Sequence, residues 1–168
     1  LGEVYINDAF GTAHRAHAST EGAARHLPAA AGYLIQKEVA FFSKLLENPE
    51  KPFVAVIGGA KVSSKIEVLE SLMGNCDTIL IGGGMAYTFL KAQGHSVGKS
   101  LVEEEHISTS ENLLSKAEQN GVTIMLPSDH IAASEFSEDA EPEKLDSADI
   151  PDSHMGMDIG PETMKRYS

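Results

Sequence analysis

Short apolar runs alternate with longer mixed stretches through most of the chain. The apolar runs are rich in Ile and Val, which is typical of buried strands, and the stretches between them repeat their apolar residues with a helical period. In chain order the predicted elements are the strand Val54–Ile57, the helix Val62–Met73, the strand Thr78–Ile81, the helices Met85–Ala92 and Glu104–Asn120, and the strand Val122–Leu126. Regular alternation favours parallel strands joined by right-handed crossovers. We therefore predict an α/β fold, a three-layer parallel sheet flanked by helices.

The first fifty residues follow a different pattern. A short strand is predicted over Glu3–Asp8, and its last residues favour turns and helix caps. A polar loop over Gly11–Ser19 follows. A helix is predicted over about Ala31–Leu46, with an apolar stripe so wide that most of its circumference should be buried, as in a helix between two structural units. We expect Asn48, Pro49 and Pro52 to end it.

Charge narrows the range of partners. The formal net charge of the 168 residues is -12, which argues against nucleic acid or an anionic membrane as the main partner. Any phosphate-bearing ligand must then be held by local positive groups. Much of the acidic charge falls in Glu135–Asp152, which we predict to be a solvated loop with a short extended piece.

Cysteine usage and hydropathy suggest a compartment. Cys76 is the only cysteine, so no internal disulfide can form and a reducing compartment is expected. The sequence shows no apolar stretch of spanning length and no signal-peptide pattern at its beginning. We predict a cytoplasmic protein.

The most informative chemistry follows the first strong strand, in the run Gly58-Gly59-Ala60-Lys61-Val62-Ser63-Ser64-Lys65. Glycines let the backbone turn sharply and approach a ligand, and the residues after them are predicted to begin a helix. At i and i+4, Lys61 and Lys65 would project from one face near the helix N-terminus, where an anion is favoured. The pattern predicts a phosphate cradle, although a solvated surface turn remains open on these residues alone.

A second glycine turn, Gly82-Gly83-Gly84, follows the next strand. Neither turn has the G-x-G-x-x-G order of dinucleotide binders or the G-x-x-x-x-G-K-[ST] order of a P-loop, which disfavours a dehydrogenase-like protein. Two strand–glycine–helix units still place two narrow turns at the carboxyl edge of a parallel sheet, where ligands of open α/β sheets bind.

Four motifs in order resemble the phosphoglycerate kinase family. They are Asn7-Asp8-Ala9-Phe10-Gly11-Thr12-Ala13-His14-Arg15-Ala16-His17-Ala18-Ser19, Gly58-Gly59-Ala60-Lys61-Val62-Ser63-Ser64-Lys65-Ile66, Ile81-Gly82-Gly83-Gly84-Met85-Ala86-Tyr87-Thr88-Phe89-Leu90 and Asp158-Ile159-Gly160-Pro161-Glu162-Thr163. The resemblance runs from about Val4 to the last residue.

The resemblance implies a glycolytic phosphotransferase with a carboxyl acceptor, acting between 1,3-bisphosphoglycerate and ADP to give 3-phosphoglycerate and ATP, with Mg²⁺ on the nucleotide. It implies catalytic roles for Lys61, Lys65 and Arg15. Lys65 would hold phosphate, Lys61 would steady the transferring group, and Arg15 would bind 3-phosphoglycerate. The implied nucleotide-binding residues are Gly58, Gly59, Ala60, Lys61, Lys65, Gly82, Gly83, Leu101, Gly156 and Met157, the last three as adenine contacts.

His14 and His17 beside Asp8 suggest a metal site only superficially. The spacing is not a familiar structural-zinc pattern, and we predict no metal bound by the protein. The resemblance favours hinge or supporting roles around Arg15. Thr12 and Ser19 are predicted to form turns and caps, since no acid–base partner accompanies them.

The resemblance also implies that the chain is a piece of a two-lobed enzyme. Residues 1–30 would be a remnant of the substrate lobe and hinge, 31–48 a connecting helix, and 49–168 a Rossmann-like nucleotide-binding lobe that is incomplete. Catalysis in such an enzyme needs both lobes to close around the substrates. We expect this chain to bind ADP weakly, without turnover, and to self-associate, although the full enzyme would be a monomer. A non-catalytic nucleotide-binding module is the alternative.

Overall fold

The computed structural model of the chain describes residues 2–47 and 49–168, which divide into two units, residues 1–50 and 51–168. Asn48, one of the predicted helix-ending residues, lies outside the described residues. The predicted domain limits, 1–30, 31–48 and 49–168, stay predictions. None of the helices in the described ranges is long and apolar enough to cross a membrane.

The first unit contains two short parallel strands, β1 (Tyr5–Asn7) and β2 (Ala29–Ala31), and the helix α1 (Tyr33–Glu47). The sequence pattern did not predict β2, whose three small residues carry no strand signal. Between the strands, the predicted polar loop contains a 3-10 turn at Phe10–Thr12 and a π-helical turn that begins at Ala18.

Asp8 fixes the beginning of α1. Its carboxylate accepts a hydrogen bond from the Ile35 N–H at 3.0 Å, in the first turn of the helix. A Cβ on Gly32 would overlap the Asp8 side chain, so a glycine is needed where the cap approaches. The predicted capping character of the residues after β1 is therefore confirmed.

The predicted burial of α1 is wrong. None of its residues is buried, and Tyr33, Phe41 and Phe42 are 88%, 63% and 50% exposed. The pattern correctly marks an apolar stripe, but the two strands of this unit have three residues each and are too small to cover a helix of fifteen.

In the second unit a three-stranded parallel sheet confirms the predicted strand directions. Its strands are β3 (Val54–Ile57), β4 (Thr78–Ile81) and β5 (Thr123–Met125), in the order β3-β4-β5. The first two match the prediction. The third is shorter than predicted because the Val122 N–H donates to the Ala117 carbonyl and closes the preceding helix, and because Pro127 lies just beyond its other end.

Three helices connect and cover these strands: α2 (Ile66–Leu72), α3 (Met85–Ala92) and α4 (Ile107–Gln119). As predicted, α3 spans Met85–Ala92, and its first six residues are all buried. A 3-10 turn, Glu104–His106, occupies the predicted start of α4. The core is formed by side chains from the sheet and all three helices, including Leu69, Ile79, Ile81, Met85, Phe89, Leu90 and Leu113.

A second sheet follows that the sequence pattern largely missed. The strands β6 (His130–Ala133), β7 (Glu143–Leu145) and β8 (Met155–Ile159) pair antiparallel in the order β7-β6-β8. The strand β7 is the short extended piece predicted within the acidic loop. The other two were not predicted, because two of the four residues of β6 are alanines and β8 contains a glycine and an aspartate, all of which are depleted in strands.

The last helix, α5 (Pro161–Tyr167), is tied to both sheets. The buried Asp129 carboxylate, just before β6, accepts hydrogen bonds from the Glu162 and Thr163 N–H groups at 2.8 and 2.7 Å. At the other end of the helix, the Tyr167 hydroxyl lies 3.0 Å from the Ile81 carbonyl oxygen and 2.9 Å from that of Met125. The helix therefore links the ends of two parallel strands to the second sheet.

Candidate functional site

The two glycine turns meet at one edge of the parallel sheet. They follow β3 and β4, which are adjacent and parallel, so both leave the sheet at the carboxyl ends of its strands. The Gly82 N–H donates to the Ile57 carbonyl at 2.9 Å, and the Met85 N–H donates to the Gly59 carbonyl at 2.8 Å. These backbone bonds join the first turn to the second.

Both turns need glycine. Gly59 and Gly83 have φ values of +149° and +68°, which other residues adopt only with strain. A Cβ on Gly83 would lie 2.9 Å from both the nitrogen and the oxygen of Gly59. The turns therefore form a close-fitting wall without side chains, which a flat or phosphate-bearing ligand can approach.

The segment that carries Lys61 and Lys65 is firmly held between the two lysines. The Val62 side chain is completely buried. The Lys65 N–H donates to the Val62 carbonyl at 2.8 Å, and the Ser64 hydroxyl donates to the Lys61 carbonyl at 3.0 Å. Neither lysine ammonium hydrogen-bonds or forms an ion pair with any group of residues 2–47 and 49–168. Two positive charges next to the glycine turns are thus available to an anion.

The predicted start of the helix behind these lysines is wrong. The prediction began it at Val62, but α2 begins at Ile66 and the residues before it form a turn. The Lys65 backbone, with φ of -124° and ψ of -1°, leaves the helical conformation, and its N–H donates to the Val62 carbonyl three residues earlier, as in a turn. Lys61 and Lys65 therefore flank a turn and do not share one face of a helix.

The side chain that binds Ser63 is Glu103, which the sequence analysis did not single out. Its carboxylate accepts hydrogen bonds from the Ser63 N–H at 3.0 Å and the Ser63 hydroxyl at 2.7 Å. Partial burial raises the pKa of Glu103, but these bonds and one from the Val62 N–H outweigh it and hold the pKa below its ordinary value. No local pattern could have found a contact between residues forty positions apart.

The residues expected on the adenine side also come together. Leu101 lies against the second glycine turn, since a Cβ on Gly84 would be 3.4 Å from the Leu101 Cδ2. The neighbouring Ser100 hydroxyl accepts a hydrogen bond from the Gly156 N–H at 2.9 Å, which joins this segment to β8. Leu101 and Met157 are 52% and 38% exposed, so apolar surface is available here to a planar base.

Gly156 has a packing role that its predicted contact with adenine did not anticipate. A Cβ at this position would overlap the ring and hydroxyl of Tyr87 in α3. Burial, and to a smaller extent the negative charge of Asp158, raises the pKa of Tyr87 to about 12, so its hydroxyl stays protonated at neutral pH. Replacing Gly156 would therefore displace a buried ring.

Comparison with known proteins identifies the family. A family model described as phosphoglycerate kinase matches residues 1–168. The chain belongs to the phosphoglycerate kinase family. The phosphoglycerate kinase of Borrelia hermsii is 58% identical over 165 residues, covering 98% of this chain and 42% of the relative. That of Moorella thermoacetica is 55% identical over 168 residues, covering 100% of this chain and 43% of the relative.

Solved structures of phosphoglycerate kinases support the same assignment. The Coxiella burnetii structure covers 99% of this chain with a TM-score of 0.90 and 46% identity, and the Pyrococcus horikoshii structure covers 98% with a TM-score of 0.81 and 27% identity. The predicted α/β fold is confirmed. The chain spans about 42% of the length of the curated relatives that it matches, so it represents part of a phosphoglycerate kinase fold.

Arg15, the third residue predicted to be catalytic, lies in the first unit. Its side chain is exposed, and its carbonyl accepts a hydrogen bond from the Thr20 hydroxyl. The nearby His14 and His17 are exposed as well. Among residues 2–47 and 49–168, no group of three His, Cys, Asp or Glu residues could hold a metal ion. The glycine turns, Lys61 and Lys65 belong wholly to the second unit.

Proposed function

We propose that this chain carries the nucleotide side of a phosphoglycerate kinase active site. The reaction is phosphoryl transfer between 1,3-bisphosphoglycerate and ADP, which gives 3-phosphoglycerate and ATP. The observation that carries the proposal is the pair of lysines without anionic partners in the described chain, held beside two interlocked glycine turns at the carboxyl edge of a parallel sheet. The family assignment supports the same reaction.

The proposed roles follow from the charge of the reacting groups. Phosphoryl transfer spreads negative charge over phosphate oxygens, so fixed positive groups lower its barrier by electrostatic stabilisation. Lys65 holds a nucleotide phosphate and Lys61 steadies the transferring group. Gly58, Gly59, Ala60, Gly82 and Gly83 let adenosine approach the backbone, while Leu101, Gly156 and Met157 line the adenine side. Arg15, from the first unit, is proposed to bind 3-phosphoglycerate.

Magnesium in this proposal belongs to the nucleotide. In the part of the chain that the structure describes, the carboxylate of Glu103 near the two lysines accepts hydrogen bonds from Ser63, so the proposal places Mg²⁺ on the phosphates of the nucleotide. On a nucleotide, Mg²⁺ neutralises phosphate charge. No step assigned to this chain passes through the ion.

We expect the 168-residue chain, assayed by itself, to bind ADP weakly and not to turn over. Catalysis in a two-lobed kinase requires a substrate lobe that closes on the nucleotide lobe and excludes water. The buried Cys76 thiol is consistent with the predicted cytoplasmic location.

The alternative function is a non-catalytic nucleotide-binding module. An activity assay distinguishes it from the enzyme when this chain is combined with the segments of a relative that it does not match. Restored ATP formation from 1,3-bisphosphoglycerate and ADP supports the enzyme, and binding without turnover supports the module.

Calorimetric titration tests the cradle directly. We expect Lys65→Met to weaken ADP binding about tenfold or more, because it removes hydrogen bonds between charged groups. Lys61→Met, which would act on the transferring group, should weaken ATP binding more than ADP binding. Adenosine binding should not change, since adenosine has no phosphate. Lys37→Met, at an exposed position in the first unit, is the matched control. Equal loss of ADP and adenosine binding, or no loss of either, would contradict the proposed cradle.

A further inference from the structure

Glu103 joins the lysine segment to the rest of the nucleotide site, and this inference rests on the proposed function. We propose that Glu103 is a positioning residue: its carboxylate holds the turn at Val62 and Ser63 and thereby keeps Lys61 and Lys65 beside the glycine turns. It does not itself contact the nucleotide in this proposal. Its effect on binding is exerted through the two lysines.

The geometry of the contact is that of a clamp. One carboxylate oxygen of Glu103 accepts from the Ser63 N–H at 3.0 Å, and the other accepts from the Ser63 hydroxyl at 2.7 Å. Hydrogen bonds to an ionised carboxylate are stronger than neutral ones, and two bonds to one residue fix its orientation. Ser63 lies two positions from each lysine, so holding its backbone restricts where both side chains begin.

Glu103 can act as a clamp because its own backbone is fixed. The Glu103 N–H donates to the Thr88 hydroxyl at 3.1 Å, and Thr88 is buried in α3, the helix that follows the second glycine turn. Glu103 therefore connects two parts of the site: its side chain binds the segment after the first glycine turn, and its backbone binds the helix after the second. Truncating this side chain leaves the backbone bond to Thr88 in place, so Leu101 in the same segment should keep its position.

If only the negative charge of Glu103 mattered, removing it would change ADP binding in the direction opposite to that expected for a positioning residue. A carboxylate near an anion site repels phosphate, so if Glu103 mattered only through its charge, its removal would tighten ADP binding. A positioning role predicts weaker ADP binding, because without Glu103 the backbone that carries the two lysines must be ordered when the ligand binds. The sign of the change therefore separates the two effects.

The experiment compares ADP and adenosine binding by calorimetry in the 168-residue chain. We expect Glu103→Ala to weaken ADP binding about tenfold, which corresponds to about 1.4 kcal/mol, and to leave adenosine binding unchanged. Ser63→Ala should have a smaller effect, because the Ser63 N–H bond remains. In the double variant the two effects should not add, since both remove the same contact. Glu105→Ala, which removes an exposed carboxylate two residues away, is the control for charge.

Hydrogen exchange at the Ser63 amide provides an independent readout. Faster exchange at this amide in Glu103→Ala, with the amides of α3 unchanged, would support a local clamp. Unchanged or tighter ADP binding in Glu103→Ala would overturn the inference, as would equal loss of ADP and adenosine binding, which indicates a purely structural role. If the wild-type chain binds neither ligand, the proposed function fails together with the inference, whereas normal wild-type binding with an unaffected variant overturns the inference alone.

Discussion

Replacing Gly83 by alanine should cost far more stability than the same change at another glycine of similar conformation. Gly83 and Gly121 have φ values of +68° and +71°. Alanine in this left-handed region costs about 1–2 kcal/mol at either position. At Gly121 the new Cβ meets no atom within 4 Å, so the backbone term is the whole expected effect.

At Gly83 a steric term is added. The new Cβ would lie 2.9 Å from the nitrogen and oxygen of Gly59, and neither backbone atom can move without disturbing the hydrogen bond from the Met85 N–H to the Gly59 carbonyl. Overpacking of this kind costs about 1–3 kcal/mol, so together with the backbone term we expect a total loss of about 2–5 kcal/mol in the free energy of unfolding.

Urea unfolding of both variants, followed by circular dichroism, measures these two losses, and an ADP titration checks the site. We expect Gly83→Ala to be less stable than Gly121→Ala and to bind ADP more weakly, because the first glycine turn must shift. Equal free energies of unfolding in the two variants, with equal ADP affinity, would refute the reasoning that the turns constrain each other.

Two further predictions concern stability at high pH and association. Burial raises the pKa of Tyr167 to about 12 from an ordinary value of 10.0, so the stability that its neutral hydroxyl contributes is present below pH 10 and lost as the pH rises toward 12. Tyr167→Phe should therefore lower the free energy of unfolding in urea by about 1 kcal/mol at pH 7, and the difference between wild type and variant should narrow above pH 10. A difference that does not change with pH would contradict this prediction. The exposed apolar side chains of α1 should cause concentration-dependent association, which sedimentation velocity measures. The double variant Phe41→Glu, Phe42→Glu should associate less, whereas Phe136→Glu, at an exposed position outside α1, should associate like the wild type. A wild-type monomer at every concentration would contradict the second prediction.

The sequence predicts this fold best where short-range pattern decides the structure. The strands Val54–Ile57 and Thr78–Ile81 and the helix Met85–Ala92 have the predicted bounds, because apolar runs, glycines and helix-forming residues all agree there. The sheet of β6, β7 and β8 was largely missed because β6 contains two alanines and β8 a glycine and an aspartate, which carry little strand signal. Burial of α1 was predicted wrongly because amphipathicity shows which face can be covered, not whether anything covers it.

The candidate site, like the fold, could be predicted only where it depends on residues close together in the sequence. The glycine turns and lysines are visible in the sequence, since their chemistry is local. The role of Glu103 depends on hydrogen bonds between residues forty positions apart, which no window of sequence displays. The roles of Lys61, Lys65 and Arg15 stay predictions until binding is measured.

The contact between Gly59 and Gly83 has a consequence for the order in which the site can assemble. The two turns come from consecutive strand–turn–helix units, so little loop-closure entropy opposes their meeting. The proposed adenine side instead depends on the hydrogen bond between Ser100 and Gly156, which are 56 residues apart. As the chain emerges from the ribosome, the glycine turns and Glu103, which form the proposed phosphate side, should therefore be in place before Gly156 and Met157 of the proposed adenine side, and a refolding chain should be able to hold an anion before it can select a base.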